Sequence, residues 1–94
     1  MSAVIEGAVK ALGARISSFD GSAKFVVEGE GAIMIDERGV RAGDESADVT
    51  LTASRDTFEG ILNGDTNPTM AYMTGKLKID GSLPAAMKLG AAMS

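Results

Sequence analysis

From Ser54 to Gly81 the chain reads S-R-D-T-F-E-G-I-L-N-G-D-T-N-P-T-M-A-Y-M-T-G-K-L-K-I-D-G, a run in which apolar-faced elements follow one another with almost no loop between them. Ser54 is placed to cap a helix whose positive end Asp56 favours, Phe58, Ile61 and Leu62 form its i, i+3, i+4 face, and Asn63-Gly64 ends it. Asn67 as cap with Pro68 at the first helical position starts a second, shorter helix that Gly75 stops, with Met70 and Met73 expected on its inner face. Leu77 and Ile79 then alternate with Lys76, Lys78 and Asp80 in a strand. Connections this short force the three apolar faces onto one common volume.

The preceding residues supply what that volume packs against. Ser2 caps a helix in which Ile5, Ala8, Val9, Leu12 and Ile16 recur at helical spacing, while Glu6, Lys10 and Arg15 lie off the stripe. After the turn Phe19-Asp20-Gly21-Ser22 the period becomes two. Ala23, Phe25 and Val27 share one face of a strand, and Gly29-Glu30-Gly31 turns into a second strand with Ile33 and Ile35 on one face and Met34 on the other, which predicts a hairpin. A brief strand around Val40 and Arg41, an acidic loop from Gly43 to Ala47, and a strand with Val49 and Leu51 facing inward complete the sheet. The final helix, after Gly81-Ser82-Leu83-Pro84, carries two apolar stripes, Leu83, Met87, Ala91 and Ala86, Leu89, Met93, with Lys88 its only charge. A helix of a soluble domain needs one such stripe. The second calls for a ligand, a membrane surface or another chain.

Composition removes most alternatives. At 94 residues and 45% hydrophobic content the chain is expected to form a single domain, residues 1–94, with a thin core. It has no cysteine and no histidine, so disulfides, thiolate nucleophiles, imidazole bases and the common zinc ligands are absent together. The net charge of −4, with basic residues scattered singly, offers no footprint for a phosphate backbone, and nucleic acid is not expected as a partner. The first residues lack a basic leader followed by an apolar run, and no stretch approaches the ~20 apolar residues that span a bilayer, so a cytoplasmic protein is expected. G-E-G at residues 29–31 lies between strands and does not open a helix, so it is a turn and not a nucleotide loop. Asp44, Glu45 and Asp48 match no calcium-loop spacing and read as a solvated acidic loop; no metal and no cofactor are expected. The repeated Asp-Gly-Ser at residues 20–22 and 80–82 marks turns, with no base beside either serine to make a nucleophile. Lys76, Lys78 and Lys88 read as solubility residues, the alternative being that one of them meets the carboxylate or phosphate of a ligand headgroup at the pocket mouth.

The stretches F-D-G-S-A-K-F, A-D-V-T-L-T, F-E-G-I-L-N-G, N-P-T-M-A-Y-M-T-G-K-L-K-I-D-G and A-A-M-K-L, starting at Phe19, Ala47, Phe58, Asn67 and Ala85, resemble the characteristic segments of the sterol carrier protein, or non-specific lipid-transfer protein, family. The resemblance implies an α+β fold: a five-stranded mixed, mostly antiparallel sheet with helices packed on one face, enclosing an apolar tunnel. It implies binding and transfer of fatty acyl chains, acyl-CoA, phospholipid or sterol, without catalysis. Carried onto matching positions, the tunnel walls are expected from Ile33, Ile35, Phe58, Ile61, Leu62, Met70, Met73, Leu77, Ile79 and Met87. The expected partners are a lipid or fatty acyl ligand and, from the second stripe of the last helix, transient contact with a membrane surface, with the protein a monomer or weak dimer. The competing expectation is an accessory module that docks on a lipid-metabolising enzyme through its apolar C-terminal helix. A closed and empty pocket of about 300–400 Å³ would cost about 7–10 kcal/mol, close to the whole stability of a domain this small, so a tunnel is expected to be collapsed, wet or filled.

Overall fold

Three helix starts follow from local side-chain chemistry. In the computed structural model, which describes residues 2–93, Ser2 Oγ accepts the Ile5 N–H at the start of α1 (Ala3–Arg15). Ser54 Oγ accepts the Thr57 N–H at the start of α2 (Arg55–Asn63), and Asn67 Oδ1 accepts those of Thr69 and Met70 at the start of α3 (Pro68–Met73). Each satisfies donors that the first helical turn otherwise leaves unpaired. Gly64, at φ 83°, closes α2 in the left-handed conformation that glycine adopts without a side-chain penalty. The ends of the expected domain, Met1 and Ser94, lie outside the described residues.

The strands are β1 (Ser22–Val27), β2 (Gly31–Asp36), β3 (Gly39–Ala42), β4 (Val49–Ala53) and β5 (Leu77–Gly81), in the order β3-β2-β1-β4-β5. The predicted β1–β2 hairpin forms, with Phe25 opposite Ile33; the β1–β4 pair is parallel and the other pairs are antiparallel. The α+β class and the mixed, mostly antiparallel five-stranded sheet are therefore those expected. Helices α1 and α4 (Leu83–Met93) cover the face carrying Ala23, Phe25, Val27, Ile33, Ile35, Val49 and Leu51, with α1 over β2 and β3 and α4 over β4, β1 and β5. Phe58 of α2 reaches the middle of this layer and packs against Phe25 with the rings tilted and their centroids 4.6 Å apart.

Asp48 is exposed, as expected of a solvated loop carboxylate, and it is also a hydrogen-bonding hub. Its carboxylate accepts the Ser22 N–H at 3.2 Å, its own N–H donates to Ser22 Oγ at 2.9 Å, and its carbonyl accepts the Ser82 N–H at 3.2 Å. The two Asp-Gly-Ser turns thus meet at one residue, which ties the start of β1 and the end of β5 to the start of β4. Asp44 and Glu45 are also engaged: Asp44 pairs with Lys24 at 2.7 Å and Glu45 with Arg41 at 3.7 Å. Lys24 and Arg41 are the cross-strand neighbours of Met34, which is buried although its alternation places it on the face opposite the helices. Apolar lysine and arginine stems and the chain at Gly43 close over it.

A candidate lipid cleft between α3, β5 and α4

Beyond β4 the covering layer splits. Helix α4 buries Ala86, Leu89, Gly90 and Met93, one of its two predicted stripes, and leaves Leu83 and Met87 of the other exposed. Helix α3 buries Ala71 alone. The expectation that Met70 and Met73 lie on its inner face is corrected: they are 57% and 73% exposed. A helix of six residues has less than two turns, so two methionines do not fix its phase, and the close approach to the sheet admits alanine where a thioether would not fit.

Between the outward stripe of α4 and the flank of α3 lies an apolar cleft of about 420 Å³. Its floor is Leu51 of β4 with Leu77 and Ile79 of β5; one wall is Pro68, Thr69, Tyr72 and Met73, and the other is Leu83, Ala86, Met87, Gly90 and Ala91. The two walls approach closely at Gly90, where a Cβ would make ordinary contact with Pro68 at 3.5 Å. Of the expected wall residues, Met73, Leu77, Ile79 and Met87 come together here. Ile33, Ile35, Phe58 and Ile61 are placed in the solid core under α1 and α2, and Leu62 borders a groove between α1 and α2. Met70 lies outside the cleft, in a shallow concavity shared with Lys76. The cleft is partly open to solvent.

Sequence reasoning missed Leu51 as floor, Pro68, Thr69 and Tyr72 on α3, and Leu83 on α4. Leu83 belongs to one of the two stripes recognised on that helix, and the sequence did not say which of them the core would take. It also missed Arg15, whose guanidinium donates to the carbonyl of Met93 at 2.6 Å and to that of Leu62 at 2.9 Å. Those carbonyls end α4 and α2, where the helix dipole is negative, so one cation secures both helix termini. At its other end α4 is capped by Ser82, whose Oγ accepts the Ala85 N–H at 3.3 Å and whose carbonyl accepts that of Ala86.

Chemically the cleft offers burial. Its polar groups are Asn67, whose Oδ1 caps α3, the hydroxyl of Thr69 and the phenol of Tyr72; among the described residues neither a carboxylate nor an amine side chain lines it. The nearest cation on α4, Lys88, turns away to Asp20 at 3.4 Å and to the face of Phe19. No helix among the described residues is long and apolar enough to cross a membrane.

Comparison with known proteins gives a consistent frame. The chain is 44% identical over 50 residues to the hydroxysteroid dehydrogenase-like protein 2 of Bos taurus, a match covering 53% of this chain and 12% of that protein. It is 44% identical over 54 residues to the peroxisomal multifunctional enzyme A of Dictyostelium discoideum, covering 57% of this chain and 12% of the enzyme. It therefore spans only a small part of these relatives. Among solved structures, the fold superposes with a TM-score of 0.78 on the Aedes aegypti sterol carrier protein 2 in complex with palmitate, at 19% identity over 100% of this chain and 97% of that one. Residues 3–94 match the SCP-2 sterol transfer family, and the chain belongs to it.

Proposed function

We propose that this protein binds and transfers lipids, taking the apolar part of a fatty acyl chain, acyl-CoA, phospholipid or sterol into the cleft between α3, β5 and α4. The observation that carries the reading is the unburied second stripe of α4. Met87 is 63% exposed and Met73 73% exposed, and they face one another across a volume within the usual range of ligand pockets, about 300–1,000 Å³. Exposing large apolar side chains on a domain that has few to spare is costly unless something covers them. Each methylene buried there gains about 0.8 kcal/mol, less the cost of ordering the ligand. Flexible thioethers adapt to chains of different shape, so selectivity is broad. Family membership and the palmitate held by a protein of the same fold support the same reading.

The role is binding and not catalysis, in a single domain acting in the cytoplasm. The wall residues proposed are Met73, Leu77, Ile79 and Met87, with Leu51, Tyr72 and Leu83 added. Ile33, Ile35, Phe58 and Ile61 support the floor from the core, and Leu62 and Met70 lie beside the site. A second reading, an accessory module docking on a lipid-metabolising enzyme, has one observation in its favour: matching relatives named as enzymes carry this segment as 12% of their length. Native mass spectrometry of the purified protein, with solvent extraction of whatever accompanies it, separates the two. Added mass released as fatty acid or phospholipid is expected. A bare chain mass and an unmoved melting temperature after incubation with palmitate and mixed phospholipids would overturn lipid binding and leave the docking module.

A further inference from the structure

The chain has no cysteine, histidine or tryptophan, so methionine sulfur is its most readily oxidised group. The described methionines fall into two sets. Met34 and Met93 are closed off at 2% and 1% exposure, whereas Met70, Met73 and Met87 lie largely in solvent. Met73 and Met87 belong to opposite walls of the cleft, and Met70 sits outside it in the concavity beside Lys76. A thioether on a cleft wall is open to a small oxidant while the cleft is empty and covered when an apolar chain fills it. Met70 has no such cover. The molecule thus carries two sulfurs whose access follows the ligand, one that stays open and two that stay closed.

We propose that Met73 and Met87 are sites of reversible oxidation by hydroperoxides, and that their sulfoxides empty the cleft of lipid. This rests on the lipid-binding reading. In the reaction a sulfur lone pair takes the distal oxygen of the peroxide, so that an S–O bond forms, the O–O bond breaks and the sulfur is oxidised by two electrons. The remaining peroxide oxygen takes up the proton of the transferred one and leaves as water, or as an alcohol when the oxidant is an organic hydroperoxide. A sulfoxide is a polar acceptor, and hydrocarbon lying on it offers no donor, so lipid entry strips it of its hydrogen bond to water. Oxidation changes both walls at once, Met73 on α3 and Met87 on α4, while Met34 and Met93 in the interior stay reduced. A methionine sulfoxide reductase removes the oxygen as water with two electrons from a thiol, which restores the apolar walls.

The test exposes the lipid-free protein to hydrogen peroxide with and without saturating palmitate, maps the sulfoxides by peptide mass spectrometry, and titrates a fluorescent fatty acid before and after. Without palmitate, Met70, Met73 and Met87 are expected to oxidise ahead of Met34 and Met93. Palmitate is expected to slow Met73 and Met87 and to leave Met70 unchanged. Burying one unpaired polar group weakens binding about five-fold or more, so oxidising both wall sulfurs is expected to lower fatty acid affinity by at least about 25-fold. Far-UV circular dichroism is expected to be unchanged, and methionine sulfoxide reductases with dithiothreitol to restore the affinity. Met73→Leu/Met87→Leu, compared with its own affinity before peroxide, is expected to change less than about two-fold, whereas Met70→Leu follows the unaltered chain. Affinity that survives full oxidation of both sulfurs, palmitate that slows all three exposed methionines alike or none, or a loss that the double leucine variant shares or that reduction fails to reverse would overturn the oxidation sites, with fatty acid binding by the reduced chain still standing. Absence of that binding would sink the lipid-filled cleft itself and the oxidation sites with it.

Discussion

Two neighbouring positions on α4 separate the core role of that helix from its role in the cleft. Leu89 is 0% exposed on the inward stripe and Met87 is 63% exposed on the outward one. Truncating a buried leucine to alanine costs about 3–5 kcal/mol, the lost transfer energy plus the residual cavity. In a domain of this size each 1 kcal/mol moves the melting temperature by about 4–8 °C, so Leu89→Ala is expected to lower it by at least about 12 °C. Met87→Ala removes a side chain that is largely in solvent, and its stability effect is expected within about 0.5 kcal/mol, under about 4 °C.

The ligand effect runs the other way. Full burial of a methionine side chain is worth about 1.5–3 kcal/mol, and with 63% of Met87 still exposed, a ligand that covers it recovers roughly 1–2 kcal/mol of that. Met87→Ala is therefore expected to weaken fatty acid affinity about five- to thirty-fold, and Met87→Glu to abolish uptake in a folded protein. Thermal denaturation followed by far-UV circular dichroism gives the stability of each variant, and titration with a fluorescent fatty acid gives the affinity. If Met87→Ala proved as destabilising as Leu89→Ala, or bound fatty acid as tightly as the unaltered chain, the assignment of the outward stripe to ligand would be refuted.

Gly81 ends β5 at φ 111°, opposite Val49, and a Cβ there would collide with the carbonyl oxygen of Asp48. Gly81→Ala is expected to lower the urea midpoint by well over the ~1 kcal/mol of a typical substitution, because both the backbone angle and the Asp48 clamp resist it; an unchanged midpoint would mean the clamp yields freely. Asp36 carries the pH prediction: the Arg38 N–H, donating at 2.9 Å, and then the Arg41 guanidinium hold its carboxyl below the usual aspartate value, against the opposing effect of burial. A depressed pKa means that the contribution is present above the unfolded-state value near 4 and is lost as pH falls through the lower folded value. Melting temperature measured from pH 6 down to pH 2 is therefore expected to fall less steeply for Asp36→Asn than for the unaltered chain, and parallel curves would remove Asp36 from the acid response.

The fold was legible wherever one residue type does a local job. Ser2, Ser54 and Asn67 accept backbone donors within their own turn, so their meaning survives any tertiary arrangement. The alternation of Ala23, Phe25 and Val27 likewise needs only the period of a strand. The candidate site was legible in part, because membership of an apolar face does not say what covers the face. Phe58 and Ile33 have the pattern of pocket walls and are filled over by other protein groups, Phe58 against Phe25 and Ile33 beneath α1. Met34 is buried between its neighbours Lys24 and Arg41, which pair with Asp44 and with Asp36 and Glu45, and beside the chain at Gly43, a contact between segments that no period encodes. The surplus stripe of α4 could be seen in the sequence because it breaks the rule of one apolar face per helix; which stripe faces inward depends on the core that Ala86, Leu89 and Met93 enter and on Arg15 at the Met93 carbonyl, both long-range.

Those same contacts decide which part of the cleft is able to adapt. Helix α4 is held at its start by Ser82, at its end by Arg15, and along its length by Ala86, Leu89 and Met93 in the core. Swinging it away from the sheet would expose those side chains and unpair the terminal carbonyl, at a cost of several kcal/mol, a large share of the stability of a small domain. Helix α3 is held by its Asn67 cap, by Ala71 and by the Lys76 N–H on the Ala71 carbonyl, with its methionines already in solvent. The cheaper ways to change the cleft volume are a shift of α3 and new rotamers of Met73 and Met87, whose unbranched chains reorient at little strain. The fixed helix carries the inward stripe and the outward stripe together, so the contrast between Met87→Ala and Leu89→Ala reads one side chain against another on a backbone that stays in place.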